Sequence, residues 1–226
     1  MKKTIVLVSG GLDSCCFAAM KKDDDLLLLG FNYGQKGIRE LDSIKLVADY
    51  LHKPYKVIDL SSVKDIFGQT NQLTGLTPVM PHYEESVVVP LRNALFLQVA
   101  MIMGYSSGYD YVALGSHVDD IKVQNQDISY PDCSPEFLQA FEQAMIKGTL
   151  KSDKKITIIS PALMGLSKSD IITQGLSILG NVMYETWSCY LSGEKHCGIC
   201  ESCVNRKQAF IKAGVPDLTV YQTQQL

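Results

Sequence analysis

A loop of glycine and hydroxyl side chains near the start of the chain is typical of a phosphate-binding site. In order, it consists of Val8, Ser9, Gly10, Gly11, Leu12, Asp13 and Ser14. Adjacent glycines let the backbone approach a ligand closely and adopt positive φ. The N-terminus of a following helix offers free N–H groups and partial positive charge, which favour phosphate. Neither a Walker lysine nor G-x-G-x-x-G spacing is present. A tight turn with a capping serine is the simpler interpretation.

Asp13 lies inside this loop, where a carboxylate repels phosphate unless a cation lies between them. Mg²⁺ is usually held by one or two carboxylates together with substrate phosphates. We therefore predict that the loop binds a nucleotide and that Asp13 holds magnesium.

Four of the seven cysteines lie close together near the end of the chain: Cys189, Cys197, Cys200 and Cys203. Four thiolates close a tetrahedron around zinc and leave no open position, so we predict a structural zinc site. His196 could replace one thiolate as the fourth ligand, although its neighbour Cys197 competes for the same space. An iron–sulfur cluster or a set of plain buried thiols would also account for the spacing. Cys15 and Cys16 are expected to be small core residues.

The elements that must position these residues alternate between strands and helices. Apolar runs predict strands at residues 3–8, 26–33, 55–60, 111–115 and 155–160, and helical spacing predicts helices at 14–22, 38–51, 92–106, 135–149 and 167–179. Ser134 is the expected N-cap of its helix. Residues 61–86 are expected to be a long irregular connection, and residues 87–89 to be short and extended. Such alternation predicts an α/β fold, a parallel sheet with helices on both faces.

Size and composition limit the class of protein. The chain has 226 residues, of which 46% are apolar and 20% charged, with a net charge of −3. That balance argues against direct nucleic acid binding, which needs a basic face. The apolar runs are too short to cross a membrane, and we see no secretory signal, so we expect a cytoplasmic protein. We predict a nucleotide-binding and catalytic part at residues 1–183, and a four-cysteine zinc segment with a C-terminal helix and exposed tail at residues 184–226.

The glycine loop resembles the PP-loop of the ATP pyrophosphatase superfamily. Within it, the chain resembles the 7-cyano-7-deazaguanine synthase (QueC-like) family from residue 9 to about residue 210. The shared motifs are Phe-Asn-Tyr-Gly-Gln at 31–35, Val-Pro-Leu-Arg-Asn at 89–93, Tyr-Pro-Asp-Cys at 130–133, Pro-Glu-Phe at 135–137, Leu-Ser-Lys at 166–168 and Thr-Trp-Ser-Cys-Tyr at 186–190. The resemblance implies a Rossmann-like sheet of the adenine nucleotide α-hydrolase-like type.

The resemblance also implies an adenylate-forming carbon–nitrogen ligase. Its substrates would be ATP, ammonia and 7-carboxy-7-deazaguanine, and its product a nitrile for queuosine or archaeosine synthesis. The carboxylate would be adenylated and attacked by ammonia, and the resulting amide would be adenylated in turn and lose AMP. Much of the catalysis would then be positioning and charge neutralisation. A homodimer is the oligomeric state that the family suggests.

Residue roles follow from the motifs. Arg92 would offset the charge of phosphate or carboxylate, Asn93 would hydrogen-bond the nucleotide or base, and Lys168 would contact the ATP phosphates. Asp132 would accept hydrogen bonds from the guanine-like N–H edge. The remaining predicted pocket residues are Tyr33, Gln35, Tyr130 and Cys133. A covalent nucleophilic role for Cys133 is less favoured, because adenylation needs none. His117 and Asp120 follow the fourth strand, where α/β sheets place ligands, but their spacing fixes no role.

Two stretches depart from the family pattern near the presumed base pocket. Ser134 stands where the family usually has arginine, and residues 115–120 differ from the form typical of bacterial queuosine enzymes. These departures leave open a QueC-like enzyme that joins the deazaguanine to a protein amine in an antiviral system. A PP-loop tRNA-thiolating enzyme and a non-catalytic zinc-ribbon module stay open as well.

Overall fold

The computed structural model describes residues 1–124, 127–150 and 155–223. The strands are β1 (Lys3–Leu7), β2 (Asp25–Asn32), β3 (Tyr55–Asp59), β4 (Tyr111–Leu114), β5 (Val123–Gln124), β6 (Asp127–Ile128) and β7 (Thr157–Ile159). The α-helices are α1 (Leu12–Met20), α2 (Glu40–Leu51), α3 (Arg92–Ser107), α4 (Pro135–Lys147), α5 (Lys168–Leu179) and α6 (Glu201–Ala213). The predicted α/β class and parallel sheet are confirmed.

The central sheet has the strand order β3-β2-β1-β4-β7, and every neighbouring pair is parallel. The chain winds outward from β1 to β3 on one side, then returns to β4 and β7 on the other. The order therefore reverses between β1 and β4. Open α/β sheets bind ligands in the crevice beyond the carboxyl ends of the strands at such a point. The glycine loop follows β1 directly, so the sheet topology brings it to this crevice.

Side chains alternate across the strands and separate two apolar cores. Val6 and Leu28 point towards the face that α1, α2, α5 and α6 cover. Ile5 and Leu29 point towards the opposite face, which α3 and α4 cover. Because both faces of a parallel sheet are buried, its strands are continuous apolar runs. The result is three layers, with the ligand crevice along one edge of the sheet.

The ends of the elements differ from the predictions by a few residues, two local expectations were wrong, and one pair of short strands was missed. Val87 is buried in a 3₁₀ turn at Glu85–Val87 and not in an extended segment. The antiparallel pair β5 and β6 was missed, because two-residue strands are too short to show an alternating pattern. The expected exposed tail is packed inward at Thr219 and Tyr221, which are 6% and 7% exposed. Residues 224–226 of that tail lie outside the described part of the chain.

Within the described residues, the stretch Glu85–Ser107 is long and apolar enough, by length and composition, to cross a membrane. It contains α3, whose Leu97, Ala100 and Met101 are buried in the core against the sheet. A core helix can have the same length and composition as a membrane span. Its buried face on the sheet accounts for part of its apolar character.

The predicted N-cap of α4 is confirmed. The Ser134 hydroxyl accepts a hydrogen bond of 3.2 Å from the backbone N–H of Phe137, and Pro135 occupies the first helical position. Ser134 thus has a local structural role at the position where the family usually has arginine.

We predict that Ser134→Ala lowers the free energy of unfolding by about 1 kcal/mol, because the alanine leaves a first-turn N–H of α4 without its acceptor. Urea denaturation measures this change. Ser134→Thr is the matched control, since threonine also caps helices, and it should cost less than the alanine. An alanine variant as stable as the original would show that this cap contributes nothing.

Candidate active site

The glycine loop folds into a compact turn between β1 and α1. The Ser14 hydroxyl accepts a hydrogen bond of 3.1 Å from the Ser9 backbone N–H and donates one of 3.2 Å to the Gly11 carbonyl. The Ser9 hydroxyl accepts from the Gly11 N–H at 3.2 Å. Gly11 is the N-cap of α1, so the first turn of the helix opens towards the crevice. Free N–H groups of a first turn provide an anion-binding site.

Two close backbone contacts require glycine around this loop. Gly10 has φ of +95°, and a Cβ there would lie 1.8 Å from the Glu40 carbonyl oxygen. A Cβ on Gly115, just beyond β4, would lie 2.8 Å from Cα of Ser14. Any larger residue would displace the loop, so its path depends on these two glycines.

Asp13 lies in an electrostatic cluster at the mouth of the loop. Its Oδ2 atom accepts a hydrogen bond of 2.9 Å from Nζ of Lys168, and its Oδ1 atom lies 3.7 Å from Nε2 of His117. Burial opposes ionisation of Asp13, yet Lys168 and His117 together hold its pKa well below its usual range. Asp13 is therefore a carboxylate, and its buried Oδ1 atom has no hydrogen-bond partner among the described residues. This oxygen, which lies near His117 but accepts no hydrogen bond, has acceptor capacity left for a cation beside phosphate.

His117 and Asp120, to which the sequence assigned no role, form the other half of this cluster. Asp120 accepts a hydrogen bond of 3.0 Å from the His117 backbone N–H, and its carboxylate lies 3.5 Å from Nδ1 of the same imidazole. Burial opposes protonation of His117, but Asp120 and then Asp13 raise its pKa above the usual value. Their relation to Asp13 depends on the packing of β4 beside β1, which no local motif encodes.

A cavity of about 290 Å³ opens from the loop along the carboxyl edge of the sheet. Most of the predicted site residues share its wall: Val8, Ser9, Gly11, Asp13, Ser14, Tyr33, Gln35, Arg92, Asn93, Tyr130, Asp132, Cys133 and Lys168. Gly10 and Leu12 belong to the loop but do not line the cavity. The wall also includes Glu40, Trp187 and Ser188, for which the sequence analysis gave no ligand-binding role.

Asp132 is held by the start of α3. Its Oδ2 accepts a hydrogen bond of 3.0 Å from the Asn93 backbone N–H, and its Oδ1 accepts one of 3.1 Å from Nδ2 of Asn93. Asn93 Nδ2 also lies 3.3 Å from the Cys133 sulfur. Burial raises the pKa of the Cys133 thiol well above its usual value, so this thiol is neutral and a poor nucleophile. The predicted contact between Asp132 and the substrate stays a prediction.

Arg92 extends along the cavity wall against Tyr33. Its Nη1 atom donates a hydrogen bond of 3.0 Å to the Tyr33 hydroxyl, and the guanidinium lies 5.5 Å from the centre of that ring. The buried Nε atom of Arg92 has no acceptor among the described residues. A guanidinium presents five N–H donors, so several remain for an anionic ligand.

The remaining predicted pocket residues use their polar atoms in different ways. Gln35 is fully engaged by protein: its Oε1 accepts from the Tyr33 N–H at 2.9 Å, and its Nε2 donates to the Phe31 carbonyl and to Glu40. The Tyr130 hydroxyl lies 3.5 Å from a carboxylate oxygen of Glu201. Tyr130 thus forms part of the wall at the junction with the cysteine-rich segment.

The four predicted metal ligands converge. The sulfur atoms of Cys189, Cys197, Cys200 and Cys203 all lie within 4.8 Å of one another. The Cys197 and Cys203 sulfurs are 3.9 Å apart, close to the roughly 3.8 Å that tetrahedral zinc–thiolate bonds of 2.3 Å require. Backbone N–H groups of Leu191 and Cys197 donate to the Cys189 sulfur. This donor set fits a closed metal site of the zinc type.

His196 does not belong to that set. Its Nε2 atom accepts a hydrogen bond of 3.1 Å from the Ser188 backbone N–H, and its ring packs 4.4 Å from that of Trp187. The interpretation of His196 as a metal ligand is therefore not favoured. Its imidazole instead helps to hold the segment that contacts the glycine loop.

A glycine loop at the reversal point of a parallel sheet, beside a closed four-thiolate cluster, defines a nucleotide-binding α/β protein with a C-terminal metal segment. The family model described as "Queuosine biosynthesis protein QueC" matches residues 3–214. The chain belongs to this family. The resemblance that the motifs indicated is thereby confirmed.

Curated relatives agree over nearly their whole length. A protein named 7-cyano-7-deazaguanine synthase from Paracoccus denitrificans is 39% identical over 97% of this chain and 93% of the relative. A protein of the same name from Desulfitobacterium hafniense is 40% identical over 99% of this chain and 95% of the relative. A solved 4-thiouridine synthetase, in complex with RNA and bound ATP, superposes with a TM-score of 0.52 at 15% identity. The superposition covers 94% of this chain and 50% of the synthetase chain. At this identity it shows only that the two proteins share a fold.

We predict that the purified protein contains about one zinc ion per chain and no iron, as measured by elemental mass spectrometry. Cys197→Ser should lose most of the metal, because it removes one of four thiolate ligands. Cys133→Ala, a buried cysteine outside the cluster, is the control and should keep it. Iron, or a full metal content in the Cys197 variant, would contradict a four-thiolate zinc site.

Proposed function

We propose that this enzyme is an ATP-dependent carbon–nitrogen ligase that converts 7-carboxy-7-deazaguanine and ammonia into 7-cyano-7-deazaguanine. Family membership and the names of the relatives support this proposal. The observation that carries it is the cavity wall, on which the phosphate loop, the Arg92 guanidinium and aromatic side chains face the same space. Phosphate, carboxylate and a planar base are the three chemical parts that such a reaction must bring together.

The reaction uses two adenylations. The substrate carboxylate attacks the α-phosphorus of ATP, pyrophosphate leaves, and the acyl adenylate forms. Ammonia attacks the acyl carbon, AMP leaves, and loss of a proton gives the amide. The amide oxygen then attacks a second ATP and releases pyrophosphate, and loss of AMP and two protons gives the nitrile. Each adenylation turns a poor leaving group into a good one, so binding and charge neutralisation supply most of the catalysis.

The phosphate loop and its neighbours are suited to the ATP end of this reaction. The first turn of α1 would bind the phosphates through its N–H groups, beside the hydroxyls of Ser9 and Ser14. The free Oδ1 atom of Asp13 supports magnesium binding there, and the ion would neutralise phosphate charge. Lys168, now paired with Asp13, would move its ammonium group towards the departing pyrophosphate.

The substrate end lies along α3. Arg92 would bind the substrate carboxylate with its free N–H donors and lower the charge repulsion against the α-phosphate. Asp132 would act through Asn93, which it orients by two hydrogen bonds. Tyr33, Tyr130 and the neutral Cys133 would form walls of the pocket.

Other properties are part of the same proposal. The division into residues 1–183 and 184–226 is supported by the change to a cysteine-rich pattern after about residue 184. Resemblance to the family supports a homodimer, and the biosynthetic role of the family supports a cytoplasmic location. The charge balance supports the absence of direct nucleic acid binding. The zinc would be structural, since four thiolates fill its coordination sphere.

The proposal predicts that wild-type protein incubated with 7-carboxy-7-deazaguanine, ATP, magnesium and ammonium forms AMP, the amide and then the nitrile. Mass spectrometry follows the three products. Asp13→Ala should lose at least about 100-fold in rate, because it removes the proposed magnesium ligand at the phosphates.

Two results would contradict this function in different ways. AMP formation without any nitrile would favour transfer of the deazaguanine to a protein amine. No substrate-dependent ATP turnover, in protein with its full metal content, would leave only a nucleotide-binding domain of the family.

A second prediction separates the two halves of the reaction. Arg92→Met should lower the rate with the carboxylic acid by roughly 10- to 100-fold, because a charge-assisted hydrogen bond to carboxylate is lost. The rate with the neutral amide as starting substrate should fall much less. Arg92→Lys, which keeps the charge, should lie between the two. Equal losses with acid and amide would show that Arg92 does not bind the carboxylate.

A further inference from the structure

One carboxyl group on the cavity wall has no part in the chemistry described so far. Glu40 is the first residue of α2, and its side chain reaches the cavity beside the glycine loop. Its Oε1 atom accepts a hydrogen bond of 2.9 Å from Nε2 of Gln35. In the described part of the chain, its Oε2 atom has no hydrogen-bond donor. A carboxylate has about four acceptor positions, so most of those on Glu40 remain free.

Gln35 fixes the orientation of Glu40. Both ends of the Gln35 amide are tied to the end of β2, through the Tyr33 N–H and the Phe31 carbonyl. The amide is buried and cannot rotate without breaking these bonds. Gln35 therefore acts as a positioning residue, and the free edge of the Glu40 carboxyl is presented to the cavity in a defined direction.

The other carboxyl groups on the cavity wall are already engaged. Asp13 is paired with Lys168, and Asp120 accepts from the His117 backbone N–H. Both oxygens of Asp132 accept hydrogen bonds from Asn93. Among these four carboxyl groups, Glu40 is the one that has an oxygen without a hydrogen-bond donor and no ion pair to a described residue.

The surroundings of Glu40 favour a flat ligand with N–H donors. The Phe31 and Phe96 rings stack 4.2 Å apart, and Tyr33 and Trp187 complete an aromatic wall. Burial raises the pKa of Glu40 to about 7, because the hydrogen bond from Gln35 and the charge of Arg92 compensate its charged form only in part. Ring N–H groups are donors that would supply this compensation.

We propose that Glu40 is the residue that recognises the base of the substrate, by accepting hydrogen bonds from the ring N–H and the 2-amino group of 7-carboxy-7-deazaguanine. This inference rests on the proposed function. The two N–H groups lie side by side and match the two oxygens of a carboxylate. The substrate carboxylate lies at the other end of the molecule, where Arg92 would receive it. Opposite charges on one cavity wall then set the orientation of the base.

The test compares two substrates and two variants. The natural acid is measured against the analogue without the 2-amino group, 7-carboxy-7-deazahypoxanthine. Glu40→Gln is nearly isosteric but removes the charge and replaces one acceptor oxygen by an NH2 donor. Glu136→Gln, an exposed first-turn glutamate of α4, is the matched control. The measured quantities are kcat/KM for each base and KM for ATP.

We expect Glu40→Gln to lower kcat/KM for the natural acid by roughly 10- to 100-fold, since a hydrogen bond to a charged group is lost. KM for ATP should change less than about twofold, and Glu136→Gln should behave as wild type. Wild-type enzyme should discriminate against the analogue by a similar factor, a result that does not depend on any variant folding. Glu40→Gln should abolish that discrimination.

Three results would overturn the proposal. The first is an equal loss of kcat/KM on both bases in Glu40→Gln. The second is wild-type enzyme with the same kcat/KM for both bases. The third is a rise in KM for ATP in Glu40→Gln, which would assign Glu40 to the adenine amine. If wild-type protein forms no nitrile, calorimetric binding of the two bases still decides the matter. Tighter binding of the 2-amino base, lost in Glu40→Gln, would support base recognition even though the proposed reaction had failed.

Discussion

The carbonyl oxygen of Gly10 accepts a hydrogen bond of 2.9 Å from the backbone N–H of Trp187, and the rest of the site depends on this contact. It joins the glycine loop to a segment more than 170 residues away in the chain. The Ser188 hydroxyl adds a second bond, of 3.4 Å, from the Leu12 N–H. The phosphate loop is therefore held from the C-terminal side, and the cysteine segment forms one wall of the cavity.

A buried arginine holds the segment that contacts the glycine loop in place. Arg206 of α6 is fully buried and donates to the hydroxyls of Thr186, Ser188 and Thr219 and to the Met183 carbonyl. None of these acceptors carries a charge, so the guanidinium is satisfied by several neutral oxygens. The bonds fix Ser188 against the loop and draw the end of the chain inward. The cysteine segment thus has a structural role in one wall of the cavity.

Both parts of the cavity wall carry side chains that can hold charges of both signs. Lys168 and Asp13 lie at the phosphate end, and Arg92 and Glu40 line the part where the substrate would bind. Burial strengthens each of these charges in its effect on a ligand, because water no longer screens it. A substrate with a carboxylate at one end and N–H donors at the other finds complementary groups in only one orientation.

The sequence by itself determined the features whose information is local. Apolar periodicity predicted the strands and helices, adjacent glycines predicted the tight loop after β1, and close cysteine spacing predicted the four-sulfur cluster, because each depends on residues near one another in the chain. Only the tertiary structure decided which polar atoms of the cavity wall have no hydrogen-bond partner within the protein. Asp132 is engaged by Asn93, 39 residues away, while the free oxygen of Glu40 depends on how α2 packs beside the loop. Hydrogen-bond partners between distant elements are set by the packing of the sheet, and no short motif records them.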